Sequence, residues 1–223
     1  MGGADYPGAG AFLPPRRTIP ALVKALPGCR GCDLYRDATQ AVFGEGARDA
    51  SLVLVGEQPG DVEDRAGEPF VGPAGRVLDR ALDEIGLARG DVWLTNAVKH
   101  FRFHQKGKRR MHEGPSRWHV AACEPWLLAE LDSVQPQGIV TLGAVAGQSL
   151  YGPAFRVGAS RGRVLDPPEG RTEWVVATIH PSAVLRGGER REELYAGLVA
   201  DLRTALSAVE PAAPREGAAP GSR

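Results

Sequence analysis

Four short runs of apolar and β-branched residues punctuate the sequence: SLVLVGE at 51–57, DVWLTNAV at 91–98, GIVTLGA at 138–144 and WVVATIH at 174–180. Their length and β-branched content predict buried strands. Between and after them the apolar positions recur on a helical period. Pro73 opens AGRVLDRALDEIGL, Pro115 and Ser116 open RWHVAACEPWLLAELDSV, and EELYAGLVADLRTALSAV comes last. A proline in the first turn and a serine just before it are helix starts. Strands alternating with helices predict an α/β fold of three layers, α/β/α, around a central, mainly parallel four-stranded sheet.

The patterning lapses at both ends. Residues 1–19 are rich in Gly and Pro, and VEPAAPREGAAPGSR at 209–223 buries too little apolar surface to offset the entropy of ordering it. Both segments are expected to be disordered, leaving one working domain over 20–208. No apolar run reaches the roughly 18 residues of a membrane helix, and the first residues lack the charged and apolar regions of a signal peptide. The expectation is a cytoplasmic monomer with no membrane contact. In that reducing compartment its three cysteines are buried, catalytic or metal-bound rather than disulfide-linked.

Charge refines this picture. Basic and acidic side chains number 27 each, so no global field draws the chain to nucleic acid and any such binding is local. The signs are segregated, with six Lys or Arg and no acid from Lys99 to Arg110, and Glu57, Asp61, Glu63, Asp64 and Glu68 against Arg65 alone over 57–68. KGKRRMH at 106–112 has no apolar periodicity and reads as a loop. Its Lys108, Arg109 and Arg110 could meet phosphates, although taken alone the segment is a solvated surface loop. The strand ends carry the remaining chemistry, with Glu57 after the first, Asn96 after the second and His180 after the last. In open α/β sheets ligands bind at those carboxyl ends.

Two motifs frame these residues. GEQPGDVEDRAGEPFVGPAG at 56–75 joins the strand-end carboxylate to a Gln-Pro-Gly turn and a second glycine-rich turn, and HPSAVLR at 180–186 sets a histidine before a Pro-Ser helix start. Neither fits the glycine spacing of a P-loop or dinucleotide site, which argues against nucleotide hydrolysis. Together with TNAVKHF at 95–101 and the cysteines, they resemble the uracil-DNA glycosylase superfamily, nearest the [4Fe-4S]-containing family 4 enzymes, over about residues 25–205. KRRMH at 108–112 further resembles the KRRIH loop that marks the UdgX branch, whose members cross-link themselves to uracil-containing DNA.

The resemblance implies a substrate, uracil in DNA, with single strands favoured because the base must leave the stack before its edge is read. It implies that Phe70 stacks on the uracil face and that the Asn96 amide matches O4 and N3–H. Gly56, Gly60 and Asp61 would line the pocket, and His180 would donate to O2 as charge grows there. Backbone N–H groups around Gln58 and Gly60 would share that load. Glu57 would face the oxocarbenium ion left by base loss. His112 would then capture C1′, ending in a covalent adduct after a single turnover. The neighbouring cations would keep its imidazole neutral, and Glu57 would accept its proton or orient it through Gln58. Without that attack the chain is a multiple-turnover family 4 type glycosylase. With neither step it is a noncatalytic metal-containing module that binds uracil or damaged DNA. For the metal, the resemblance implies Cys29, Cys32 and Cys123, with His100 where family 4 enzymes have a cysteine. Three cysteines and one histidine suit a [4Fe-4S] cluster or, alternatively, Zn²⁺, and His104 and His119 are rival ligands. Ser182 reads as a helix cap, and Arg186 and Arg161 as phosphate contacts.

Overall fold

The structure is a computed structural model that describes residues 6–210. Its strands are β1 (Glu45–Gly46), β2 (Leu52–Gly56), β3 (Trp93–Asn96), β4 (Phe103–Lys106), β5 (Arg109–His112), β6 (Gly138–Leu142), β7 (Val164–Leu165) and β8 (Trp174–Thr178). Its helices are α1 (Ile19–Ala25), α2 (Asp61–Ala66), α3 (Pro73–Glu84), α4 (Arg117–Val134), α5 (Ala144–Tyr151), α6 (Val157–Ser160), α7 (Pro181–Leu185) and α8 (Arg191–Ser207).

The four expected strands form the parallel centre, β3-β2-β6-β8, of a six-stranded sheet. The two edge strands that patterning missed, β1 and β7, are antiparallel and two residues long. A strand so short has no period to read. The central strands alternate faces, as side chains of period two must. Leu52 and Leu54 join Leu78, Leu82, Leu198 and Leu202 on the side of α3 and α8. Val53 and Val55 join Leu127, Leu131 and Ala146 on the side of α4 and α5. Both faces are therefore apolar and covered, giving the three-layer α/β/α arrangement. Among the described residues no helix is long and apolar enough to cross a membrane.

Two expectations change. KGKRRMH is no loop, because β4 and β5 pair as an antiparallel hairpin, His112 opposite Phe103 and Arg109 opposite Lys106. Gly107 supplies the turn at φ +60. The apolar residues that hold this hairpin, Phe101 and Phe103, lie on the preceding segment and stack with ring centroids 5.1 Å apart, so the basic run showed no pattern of its own.

Residues 6–19, expected to be disordered, are packed. Ala9 is 1% exposed in a third core cluster with Leu22, Cys29, Trp126 and Ala129, and the Gly8 N–H donates to the Gly31 carbonyl. A buried face on α4 supplies what the segment's own composition lacks. At the far end Val209 packs on the core and the Glu210 N–H donates to Gln137 Oε1. The remainder of the two terminal segments, 1–5 and 211–223, lies outside the described residues.

Candidate active site

The carboxyl ends of β2, β3 and β8 open into a cavity of about 680 Å³ lined by Glu57, Gln58, Gly60, Asp61, Phe70, Asn96, His112, His180 and Arg186 among others. Gly56 pairs in register with Asn96 on the neighbouring strand. A Cβ on Gly56 would collide with Asn96 Oδ1 and with Phe70 Cζ, so this glycine lets the amide and the aromatic edge converge. Phe70 is 4% exposed and its backbone is left-handed, with φ 55. A non-glycine residue there is held at a cost of about 1–3 kcal/mol. Its ring lies roughly parallel to the His180 ring, centroids 6.4 Å apart.

His180 caps α7. Its Nδ1 accepts the Ser182 N–H at 3.1 Å and lies 2.8 Å from Ser182 Oγ. The expected cap is thereby reversed: the imidazole caps the helix, and Ser182 supplies the backbone donor. Burial, then Arg186, then His112 bring the His180 pKa down to about 4. A neutral ring whose Nδ1 accepts a backbone N–H carries its proton on Nε2.

Gln58 is buried and fixes the base of the hairpin. Its Oε1 accepts the Arg102 N–H at 3.1 Å, while Nε2 donates to the carbonyls of Arg102 and Glu113. This pairing sets the amide orientation and leaves Gln58 Nε2 facing His112 Nε2 at 3.1 Å. The two carbonyls take both amide hydrogens, so Gln58 Nε2 abuts His112 Nε2 as a neighbour that positions the ring. Glu57 Oε1 lies 3.5 Å from the same His112 atom. Burial raises the Glu57 pKa against the pull of Arg186. Burial, then Arg186, lower that of His112. Arg186, not the adjacent basic run, is therefore the cation that favours the neutral imidazole.

The basic run itself divides. Arg110 is turned inward: it bonds Asp61 at 2.5 Å and the fully buried Asp64 at 2.6 Å, and lies over the rings of Phe101 and Phe103. It is committed to α2 and is withdrawn from the expected phosphate contacts, because leaving Asp64 unpaired in the interior costs more than an exposed contact returns. Asp61 lines the cavity and accepts from Arg65 and Arg110, which hold its carboxyl below the usual range although burial works the other way. Lys108 and Arg109 stay exposed at the hairpin tip. Arg161, the other expected phosphate contact, donates both Nε and Nη2 to Asp201.

Three residues that the motifs did not flag support the site. Glu63 accepts the Gly72 N–H at 2.8 Å, and Cβ atoms on Gly60 or Gly72 would strike its carboxylate, so it pins the two glycine-rich turns together. Arg89 donates to the Pro69 and Phe70 carbonyls. Lys99, completely buried, donates to Thr95 Oγ1 and the Asn96 carbonyl, with Glu130 Oε1 at 2.6 Å as its counter-ion. The contact is an ion pair and not a hydrogen bond, since Glu130 Oε1 has no hydrogen-bond partner among the described residues. Glu63 was visible only as one acid in a run of acids, and Arg89 carried no signal.

The cysteines meet in the N-terminal cluster. Cys29, Cys32 and Cys123 are buried together, Cys29 Sγ accepting from Trp126 Nε1–H and Cys123 Sγ from the Lys99 N–H, each at 3.3 Å. Burial pushes the Cys32 thiol up to about 11 and the Cys123 thiol up to about 12, so a cation would be needed to hold them as thiolates. His100 is buried, but among the described residues no three His, Cys, Asp or Glu side chains converge as a metal-binding group. The donor chemistry suits a metal, and the ligand set is not assembled around one. Of the rivals, His119 is engaged elsewhere, its Nδ1 accepting the Ser116 N–H and its Nε2 lying 2.9 Å from Asp33, and His104 is exposed near Glu113.

Comparison with known proteins agrees with the fold. Residues 43–203 match the family described as the Uracil DNA glycosylase superfamily. A type-4 uracil-DNA glycosylase of Archaeoglobus fulgidus is 37% identical over 77% of this chain and 85% of the relative. Those of Pyrobaculum aerophilum and Thermotoga maritima are 35% and 36% identical, over 79% and 82% of this chain and 89% and 90% of theirs.

Proposed function

The chain belongs to the uracil-DNA glycosylase superfamily, and from that premise we propose that it excises uracil from DNA and retains the abasic sugar on His112. The observation that carries the finer claim is the His112 ring at the cavity wall, with Nε2 between Gln58 and Glu57. A surface basic loop that only gripped DNA would need no such contact.

In this reading a flipped uracil enters beside Phe70, and the Asn96 amide pairs with O4 and N3–H. Cytosine, with an amino group at that position, leaves the amide mismatched. As the C1′–N1 bond breaks, its electron pair passes to the uracil ring, and the His180 Nε2–H donates to O2 where the charge grows. The sugar becomes an oxocarbenium ion beside Glu57, whose carboxylate stabilises it. His112 Nε2 supplies its lone pair to C1′, forming the sugar–histidine bond, and the resulting imidazolium loses its Nδ1 proton to solvent. The uracil anion is protonated on leaving. Gln58, against the same nitrogen, would orient the ring for that attack. Lys108, Arg109 and Arg186 would then contact phosphates, with single strands favoured because no partner base must be displaced.

A [4Fe-4S] cluster on Cys29, Cys32, Cys123 and His100 belongs to the same proposal, with Zn²⁺ as the alternative. It would tie the N-terminal segment to α4, and no reaction step uses it. Iron and acid-labile sulfide in the purified protein support the cluster, and zinc without sulfide rejects it.

Incubation with single-stranded uracil DNA followed by a denaturing gel tests the covalent step. A shifted band that survives heat and detergent, and disappears in His112→Ala, is expected. A second reading, hydrolysis with multiple turnover, is favoured by the relatives, each a type-4 uracil-DNA glycosylase. Uracil released in excess of protein with no shifted band would select it.

A further inference from the structure

Among the described residues, Phe70 is the one lining the cavity whose backbone is left-handed without being glycine. Sterics oppose that conformation, so something outside the residue must maintain it. The carbonyl of Phe70 is pressed against Gly75 in the first turn of α3, where a Cβ would collide with it. On its other side stands Arg89, from the turn that precedes β3. Its Nη2 donates to the Pro69 carbonyl at 2.6 Å, and its Nη1 donates both to the Phe70 carbonyl at 3.2 Å and to Asp79 Oδ1 at 2.8 Å. A planar guanidinium can span two successive carbonyls while a carboxylate fixes its own orientation, and an ammonium cannot. Arg89 does not line the cavity.

We infer that Arg89 is a positioning residue for substrate capture: it locks the Pro69–Phe70 peptide so that the Phe70 ring faces the cavity beside Asn96 and His180. This rests on the reading of Phe70 as the stacking surface for uracil. Without the fork, the Phe70 backbone relaxes toward the extended region, and a change of that size about φ swings the ring away from the position that Gly56 leaves open. Asp79 holds the arginine to α3, so the device links the helix behind the glycine-rich turn to the base-binding surface.

A double-mutant cycle separates this role from simple bracing of the fold. Single-turnover uracil excision from a single-stranded oligonucleotide is measured for Arg89→Met, Phe70→Ala and the double variant, with thermal denaturation alongside. Arg89→Met is expected to slow excision about tenfold, and the double variant to be no slower than Phe70→Ala alone, since coupled residues do not add. Arg89→Lys keeps the charge beside Asp79 and reaches at most one carbonyl, so it too is expected to be slow, and it carries the comparison if Arg89→Met does not fold. Losses that multiply in the double variant, or undiminished excision in Arg89→Met and Arg89→Lys beside a slow Phe70→Ala, would overturn the clamp and leave the stacking reading standing. Undiminished excision in Phe70→Ala would remove the stacking reading and the clamp with it.

Discussion

Individual residues in this site act through what they exclude. Gly56 carries no function of its own, yet it is the space into which Asn96 Oδ1 and Phe70 Cζ project. Gly56→Ala should therefore fold and lose uracil excision by about 100-fold, the loss typical of a displacement near 1 Å at a reacting centre; rates set against melting temperature will show whether activity falls without stability. Arg186 acts through charge. The groups it faces are Glu57, His112 and His180, with the Arg102–Glu113 pair at the base of the hairpin and His104 on β4 beside Glu113. With His112 held below the usual histidine value of about 6.5, its neutral form, the one that the proposed covalent step needs, persists into mildly acid solution. Cross-linking should thus fall only below that pH. Removing the cation in Arg186→Gln lets the His112 pKa rise, so the acid limb should move to higher pH. The position of the limb is the readout, since Arg186 lines the cavity and its loss also lowers the rate. A limb that stays in place would detach Arg186 from His112.

At the scale of elements, the hairpin of β4 and β5 brings His112 to the cavity, and its two kinds of cation should separate by experiment. Arg110→Met strands the buried Asp64 and should cost about 2–4 kcal/mol of stability in chemical denaturation while slowing cross-linking. Replacing Lys108 and Arg109 together by alanine should leave stability unchanged and reduce the salt dependence of single-strand binding by about 1.4 in the log–log slope. The four parallel strands and the three long helices were legible because each repeats its apolar spacing over a whole element. The hairpin was not, because its support comes from Phe101 and Phe103 outside the basic run. The same limit explains the N-terminal segment, whose packing depends on a face of α4 more than 100 residues away. At the site, Glu57, Asn96 and His180 could be read from strand ends alone. Arg89 could not, since a clamp on two carbonyls leaves no trace in residue spacing.

Across the whole molecule, the segregation of charge along the chain resolves into pairing in space. The acidic stretch after β2 and the basic stretch after β3 follow neighbouring strands, so Arg110 finds Asp61 and Asp64. Lys99 is the extreme case. Its side chain and that of Glu130 are both fully buried, joining the end of the strand that bears Asn96 to the helix that bears Cys123. Trp93 Nε1–H donates to the second Glu130 oxygen, so the carboxylate is held from β3 and from the segment that follows it. Removing one partner leaves the other charged and enclosed, which costs about 3–5 kcal/mol, whereas removing both leaves no buried charge. Lys99→Met should therefore be strongly destabilised, and Lys99→Met combined with Glu130→Leu should recover part of that loss, falling short by the Trp93 bond. Chemical denaturation of the two single variants and the double measures the coupling. Additive losses would mean that the pair is not a unit, and that Lys99 contributes mainly through its bonds to Thr95 and the Asn96 carbonyl. In that case the double variant should regain neither stability nor uracil excision.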